Sequence, residues 1–242
     1  MSVQVVPLEV PSLKNACVQQ LEALILSGEL KINEKLPSER DLAAKLQISR
    51  PVLHEALVDL AAKGLVRIEA RRGVFVNDYR THGSCALLSS LLAFHENKLD
   101  TNFENSLLEM RFLVEVETAG LAAERSTAKS RKPLAEIISK EANYQQLTLI
   151  ELVELDFDFH LQIAILSENR MYPLILNSFK GVYTHFTRAF YRQYHNSPIL
   201  ADVFAFHRDL YTAINMQHAE EARLVMKAML AHGERFLKGE MS

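Results

Sequence analysis

Two closely spaced helix starts constrain the fold of this 242-residue chain more than any other feature. Ser38 and Asp41 have the spacing of a capping box, which predicts a helix start near Glu39. Ser49 is a second cap candidate, and Pro51 fits only the first turn of the helix that follows it. Two short helices separated by a tight turn are typical of a helix-turn-helix.

The residues on either side of this pair complete a winged helix-turn-helix. An amphipathic stripe predicts an earlier helix at about residues 12–27. Gly64 lies where a C-terminal cap is expected, and residues 65–77 alternate like two strands around a turn with the sequence Arg-Arg-Gly. Three helices followed by a β-hairpin predict a DNA-binding domain over residues 1–78.

The rest of the chain is predicted to be all-α. A polar linker at residues 79–84 precedes long helical patterns in which no strand alternation survives. Residues 85–242 therefore predict a bundle of six or seven helices, and the whole protein is predicted to be mainly α. The helices are expected at about residues 85–96, 102–126, 130–144, 147–167, 170–195, 198–217 and 218–238.

Composition excludes several other classes. The longest nearly continuous apolar stretch, residues 85–94, is far shorter than the roughly 20 residues that span a bilayer. The N-terminus lacks the pattern of a signal peptide, and Cys17 and Cys85 have no metal-ligand spacing and suggest a reducing compartment. We therefore expect a cytoplasmic protein with no membrane partner. Basic residues outnumber acidic ones in residues 31–80, and the balance reverses in residues 81–242.

Both halves of the chain carry a family resemblance. The stretch LPSERDLAAKLQISRPVLHEALVDLAAKGLVRIEARRGVFV, residues 36–76, resembles the DNA-binding domain of the GntR family of bacterial regulators. The later stretches LLEMRFLVEVETAGLAAERS and LDFDFHLQIA resemble the ligand-binding domain of the FadR-type subfamily. Together the two resemblances span most of the chain. They imply a homodimeric transcription factor whose helical half, residues 85–242, binds an effector and dimerises.

Six residues are predicted to contact double-stranded operator DNA. Arg50 lies on the first turn of the recognition helix, where a guanidinium can donate two hydrogen bonds to a guanine edge. Arg40, on the preceding helix, is the best partner for a phosphate or a base edge, and the family resemblance implies DNA contacts at both positions. His54 departs from the family, which usually has arginine there. The hairpin tip supplies the other three: Arg71, Arg72 and Gly73.

A divalent-metal site is predicted in the helical half. Asp156 and His160 lie four residues apart and project from one face of a helix, as two ligands of a shared cation do. The FadR-type resemblance implies His207 as a third ligand and places Met229 at the fourth position, where those relatives have histidine. His232 lies one helical turn away and is a doubtful substitute. Zinc, nickel and manganese are the candidate metals, and a hydrogen-bonded polar pocket without metal is the alternative.

Two effector classes remain open. Arg111 can hold a carboxylate through its fork of donors, although an ion pair with Glu115 competes for the same side chain. This predicts a small organic acid as the effector. Residues 169–191, by contrast, resemble the acyl-CoA-binding FadR proteins, which bind their ligand without metal. This resemblance implies effector contacts at Asn177, Tyr183 and Gly233, and Lys180 lies in the same matching helix as Asn177 and Tyr183. His160 argues against the acyl-CoA alternative, because the metal-dependent relatives have histidine at this position and the acyl-CoA-binding branch does not.

The leading hypothesis is a homodimeric repressor that binds a pseudo-palindromic operator and responds to an effector. A metalloenzyme that uses Asp156, His160 and His207 is an alternative from another class, but it leaves the winged helix without a role. A third alternative is an architectural DNA-binding protein without an effector. We therefore expect that the chain is not an enzyme.

Overall fold

The computed structural model describes residues 12–94, 101–194 and 197–237. The chain divides into two compact units, Met1–Lys98 and Leu99–Ser242. The described part is mainly helical with one small two-stranded sheet, as the sequence predicts. The predicted helix ends at residues 95–96, 195 and 238 lie outside the described residues.

The first unit is a winged helix-turn-helix with two short additional helices. Its core is formed by α1, α3 and the sheet, with Leu21, Leu53 and Leu60 buried among them. The strands are antiparallel and pair Val66 with Val76. The elements are α1 (Leu13–Leu26), α2 (Glu39–Leu46), α3 (Arg50–Ala62), β1 (Val66–Glu69), β2 (Gly73–Val76), α4 (Tyr79–His82) and α5 (Leu87–Phe94).

Local chemistry explains the two helix starts. The Ser38 hydroxyl accepts a hydrogen bond from the Asp41 backbone N–H at 3.2 Å, and α2 begins at Glu39 as predicted. Gln47 adopts a left-handed conformation with φ of 55°, which ends α2 and makes the tight turn. Ser49 has the extended backbone of a cap, but its side chain makes no capping hydrogen bond, so α3 begins without the predicted side-chain cap.

The division between the two units differs from the predicted linker at residues 79–84. Part of that segment is the helical turn α4, and the Ser84 backbone N–H donates to the Lys63 carbonyl at 3.1 Å. A Cβ at Gly64 would collide with the backbone of His82, so the chain passes close to the end of α3. Leu87 then enters the core of the first unit, and α5 therefore belongs there and not to the helical bundle.

A buried polar cluster attaches α5 to the first unit. Lys63 Nζ lies 2.5 Å from Glu22 Oε1 and 2.8 Å from Ser90 Oγ. Ser90 Oγ also donates to Glu22 Oε1 at 2.9 Å, and Glu22 is buried. Three helical segments thus share one buried carboxylate.

We expect Glu22→Ala to lower the free energy of unfolding of the first unit by about 2 kcal/mol, because Lys63 and Ser90 lose their shared acceptor. The loss stays moderate since Lys63 keeps 24% of its side-chain surface exposed. Chemical denaturation of the full chain measures it. Glu29→Ala, which removes an exposed carboxylate of the same unit, is the matched control and should change stability by less than about 0.5 kcal/mol. Equal losses in the two variants would contradict the prediction.

The second unit is an all-α bundle, and its described residues form six helices. α8 is the central helix: ten of its residues are buried, and Thr148 and Glu151 form a complete capping box at its start. It packs against α6, α7 and α9, while α6 packs against α11. A short 3₁₀ turn, Tyr144–Gln146, follows α7. The helices are α6 (Thr101–Arg125), α7 (Lys132–Glu141), α8 (Leu149–Leu166), α9 (Met171–Tyr194), α10 (Pro198–Asn215) and α11 (Ala219–Leu237).

Candidate functional site

The recognition helix of the first unit leaves its predicted base-reading side chains exposed. Arg50 opens α3, and His54 lies one turn further on. The His54 Nδ1 atom lies 3.3 Å from Glu39 Oε1, at the start of α2. Arg40, whose side chain is 80% exposed, contacts Asp41 at 3.3 Å. These side chains can therefore reach a ligand without any change in the core.

The hairpin carries a basic tip with an unusual backbone. Arg71 and Gly73 both have positive φ, at 62° and 115°, which makes the tight turn between the strands. Arg72 is exposed and pairs with Glu69 at 2.6 Å. The structure also brings Lys35 to this hairpin, with Nζ 6.0 Å from the centre of the Phe75 ring. Sequence reasoning missed Lys35, since nothing local to it indicates that the chain before α2 pairs with β2.

The second unit contains a small cavity among buried polar side chains. It has a volume of about 70 Å³ and lies between α6, α8, α9, α10 and α11. Of the residues that the sequence assigns to a metal or an effector, the following line it: Arg111, Asp156, His160, Tyr183, His207, Met229 and Gly233. Five helices distant in sequence therefore contribute to one polar site.

Asp156 lies at the centre of this site and accepts hydrogen bonds from α9. The Tyr191 hydroxyl donates to Oδ1 at 2.6 Å, and the Tyr183 hydroxyl donates to Oδ2 at 3.0 Å. Thr187 also donates to Oδ2, at 3.4 Å. Burial raises the pKa of both tyrosines well above its ordinary value, and the nearby Asp156 charge raises it further. The two phenols therefore stay protonated and stabilise a buried carboxylate.

Two histidines face Asp156, each with a carboxylate behind it. His207 Nδ1 lies 2.7 Å from Glu141 Oε1, and His160 forms an ion-pair contact with Glu115 through Nδ1. His207 Nε2 makes no hydrogen bond to the described residues and lies 3.8 Å from Asp156 Oδ1. Ligand atoms of Asp156, His160 and His207 all lie within 4.8 Å of one another, so modest side-chain shifts bring them to the roughly 2.0–2.2 Å bonds of a divalent cation.

Arg111 lines the cavity and donates hydrogen bonds to Glu115 and Tyr183. Its Nε donates to Glu115 Oε1 at 2.6 Å, and Nη2 donates to the Tyr183 hydroxyl at 3.0 Å. Burial alone would lower the pKa of Arg111, but Glu115 keeps it raised, and the guanidinium stays charged. Burial alone would raise the pKa of Glu115, but Arg111 and His160 together lower it to about 2. The competing ion pair that the sequence suggested is therefore present, and Arg111 lines the cavity as well.

The buried charges of this site fit a divalent cation. Three carboxylates, Glu115, Asp156 and Glu141, lie in it with the single guanidinium of Arg111. If both imidazoles are neutral, two negative charges lack a partner, and burying an unpaired charge is costly. Burial alone would lower the pKa of His207, but the charges of Glu141 and Asp156 raise it. Protonation of His207 therefore neutralises part of the buried negative charge when no metal is bound. The His207 Nε2 atom without a hydrogen bond to the described residues and the three buried carboxylates both fit a bound cation.

Several predicted residues lie away from this site. Asn177 is exposed on α9 and does not line the cavity, and Lys180 instead donates to Glu154 at 2.7 Å. His232 is buried beside Phe206 and Phe236 and is not part of the group of three ligands. Helical periodicity places these side chains on faces that turn away from Asp156.

Glu141 is the functional candidate that sequence reasoning missed. It lies at the end of α7, in a surface-like sequence, SKEANYQQ, and its partner His207 is 66 residues further along the chain. Helix α9 also carries four aromatic residues at helical spacing, of which Tyr183, Phe186 and Phe190 line the cavity while Phe179 does not. Cys17 is buried and Cys85 exposed, and both belong to the first unit.

A winged helix-turn-helix, together with a helical unit that contains a cavity with buried polar side chains in its wall, defines a DNA-binding regulator with its own sensor domain. Residues 13–76 match the family described as "Bacterial regulatory proteins, gntR family", and residues 106–232 match the "FCD domain". The chain therefore belongs to the GntR family of transcription regulators, in the branch whose effector-binding unit is an FCD domain. These families are not enzymes, and none of the described helices is long and apolar enough to cross a membrane.

Curated relatives agree with this assignment. The chain is 27% identical to LutR of Bacillus subtilis, over 89% of this chain and 97% of that protein. It is 30% identical to the Uxu operon regulator of Haemophilus influenzae, over 89% and 77%. It is 29% identical to the putative L-lactate dehydrogenase operon regulatory protein of Escherichia coli, over 91% and 83%.

The solved structure titled "Lar controls the expression of the Listeria monocytogenes agr system and mediates virulence" has a TM-score of 0.64. The match covers 97% of this chain and 100% of that chain, at 20% identity. At this level of identity the likeness shows the fold alone.

Proposed function

We propose that this protein is a homodimeric repressor that releases its operator when the second unit binds a small carboxylate next to a divalent cation. The observation that carries the metal part is the arrangement of the two imidazoles around Asp156. His207 Nε2 makes no hydrogen bond to the described residues and lies 3.8 Å from Asp156 Oδ1, in a buried cluster that holds three carboxylates and the guanidinium of Arg111. Two imidazoles and one carboxylate suit zinc, nickel or manganese, with Asp156, His160 and His207 as the ligands.

The size of the cavity favours a small acid over acyl-CoA. A volume of about 70 Å³ holds a few water molecules or a small carboxylate, whereas pockets for drug-sized ligands have roughly 300–1,000 Å³. Asn177 is exposed and Lys180 is paired with Glu154, which removes two of the residues that suggested acyl-CoA. The name of the relative linked to an L-lactate dehydrogenase operon supports a small acid in this branch of the family.

Arg111 is the proposed receptor for the effector carboxylate, with Tyr183 and Gly233 beside it in the cavity wall. A guanidinium that already donates to Glu115 and Tyr183 is held in one orientation, which lowers the entropy cost of ligand binding. Met229 also lines the cavity, where the metal-dependent relatives have a fourth histidine. That side of the site is therefore left to water or to the effector.

For the first unit, we propose that Arg50 and His54 read bases and that Arg40 contacts a phosphate or a base edge. Arg71 and Arg72 supply the wing contacts, and Gly73 allows the backbone to approach the DNA closely. The support is their exposure on one small domain whose core packing does not involve them. Because phosphate contacts are salt-dependent, operator binding should weaken steeply with ionic strength.

Elemental analysis combined with native mass spectrometry tests the metal and the effector together. We expect the purified protein to be a dimer with close to one zinc, nickel or manganese ion per chain, and His160→Ala to lose that ion. His218→Ala is the matched control, because His218 is exposed and pairs with Glu221 away from the cavity. A metal-free protein that binds acyl-CoA would overturn the proposal and favour the fatty-acid branch.

Operator release tests the sign of regulation. With the metal identified, operator binding is titrated with small acids such as lactate, glycolate and citrate. A fall in operator affinity on acid binding supports a repressor, whereas a rise indicates an activator. No response to any acid that binds the protein would contradict regulation by this site.

A further inference from the structure

Glu141 is a buried carboxylate whose described partner is a single imidazole. It is 2% exposed, and its Oε1 lies 2.7 Å from His207 Nδ1. Its other oxygen makes no hydrogen bond to the described residues. It lies at the C-terminal end of α7, where the helix dipole disfavours negative charge. A carboxylate at such a position is destabilising for the fold by itself, which points to a role in the site that it faces.

The surroundings of His207 fix the plane of its ring but not its protonation. The ring stacks on Phe159, with the ring centres 3.8 Å apart and the planes inclined by 14°, and His207 is fully buried. Stacking leaves open which nitrogen carries the proton, and only an unprotonated nitrogen can bind a metal. A hydrogen-bond acceptor beside Nδ1 selects the neutral tautomer that carries its proton on Nδ1, and Nε2 is then the nitrogen available to a metal.

We propose that Glu141 is a positioning residue for the cation site: it accepts a hydrogen bond from Nδ1–H of His207 and so holds Nε2 as the nitrogen that faces Asp156 and binds the cation. The inference rests on the proposed cation site. Glu115 contacts Nδ1 of His160 in a parallel arrangement, but it also pairs with Arg111, so a change there would alter the proposed effector receptor too. Among the described residues, Glu141 makes its hydrogen bond to His207 and none to Arg111 or Tyr183, and it can therefore be tested separately.

The test compares the zinc affinity of the full-length protein with that of Glu141→Gln and Glu141→Ala, measured by competition with a chromogenic chelator. We expect zinc binding to weaken about 10- to 100-fold, with the larger loss for alanine, as for other carboxylates behind a metal-bound histidine. Glu22→Gln is the matched control, because Glu22 is also a buried carboxylate but lies in the other unit. It should leave zinc affinity unchanged. Circular dichroism of each variant confirms that the comparison is made between folded proteins.

A second readout separates positioning from support of the fold. Long-range ¹H–¹⁵N spectra of the zinc-loaded protein, with His207 assigned, should show a protonated Nδ1 and a metal-bound Nε2. In zinc-saturated Glu141→Ala, the Nδ1 resonances should shift to those of an imidazole without a carboxylate acceptor, and Glu141→Gln should restore part of the wild-type position. A purely structural role changes stability and leaves these resonances in place.

The outcomes distinguish this inference from the proposal on which it rests. A wild-type protein that does not bind zinc or any of the other candidate metals overturns both. A wild-type protein that binds zinc through His160, with unchanged affinity in both Glu141 variants, overturns the role of Glu141 alone. Weaker binding with unchanged His207 resonances also overturns it, because the loss then comes from somewhere other than the imidazole.

Discussion

Arg111→Ala is expected to destabilise the second unit by about 3–5 kcal/mol, the largest effect that we predict for a single substitution. The change leaves Glu115, which is 2% exposed, without the guanidinium that donates to it at 2.6 Å. It also removes the donor that Tyr183 accepts from. A buried carboxylate that keeps only His160 as a partner must recruit a proton or water, and either response costs stability. Chemical denaturation of the full-length protein measures the loss.

The double variant Arg111→Ala/Glu115→Gln tests the physical reason for that loss. If the cost comes from an unpaired buried charge, neutralising Glu115 should recover a large part of it, and the two changes should be strongly non-additive. Arg125→Ala removes an exposed arginine of the same helix that donates to the Ser167 carbonyl, and it should cost about 1 kcal/mol. A double variant no more stable than Arg111→Ala would show that packing and not charge carries the effect.

Arg50→Ala is expected to weaken operator binding by about 1–3 kcal/mol, which corresponds to roughly 5- to 150-fold in Kd. The side chain is exposed at the first turn of α3, so its removal leaves the core of the domain unchanged. A lost bidentate contact to a base should also relax the sequence preference at one position of the operator. Fluorescence anisotropy at fixed ionic strength, with the operator and single-base variants of it, measures both effects.

Arg80→Ala is the control for this experiment. Arg80 is an exposed arginine of the same unit, but it lies on α4 and is paired with Asp78 at 2.7 Å. Its removal changes the net charge by the same amount, so it reports the general electrostatic contribution to binding. If the two variants weaken binding equally and without any change in sequence preference, Arg50 is a phosphate contact and the proposed base-reading role is wrong.

The local elements of this protein were predictable because their signals are local. The hydroxyl of Ser38 and the left-handed turn at Gln47 act within a few residues of α2, and the start of that helix was predicted correctly. The alternation around the Arg-Arg-Gly turn likewise predicted the hairpin. Each helix of the second unit was found from its apolar period, which depends on burial of one face and not on the identity of the neighbour.

The polar site was predictable only in part. Asp156 and His160 could be paired because helical geometry places residues four apart on one face, and His207 was added from the family resemblance. Asn177 was placed in the effector site on the same ground, but the structure turns it to the surface. A family resemblance predicts which positions along the chain correspond to those of the relatives. It does not predict which face of each helix points into the site.

What the sequence alone determined is therefore the order, type and approximate ends of the elements, together with the class of protein. These follow from capping, turn conformation and apolar periodicity, all of which act over a few residues. Only the tertiary structure decided that α5 joins the first unit, that Lys35 lies beside the hairpin and that Glu141 supports His207. The physical reason is that such contacts depend on how elements distant in sequence pack against one another. This packing of buried side chains produces no local sequence pattern from which it could be predicted.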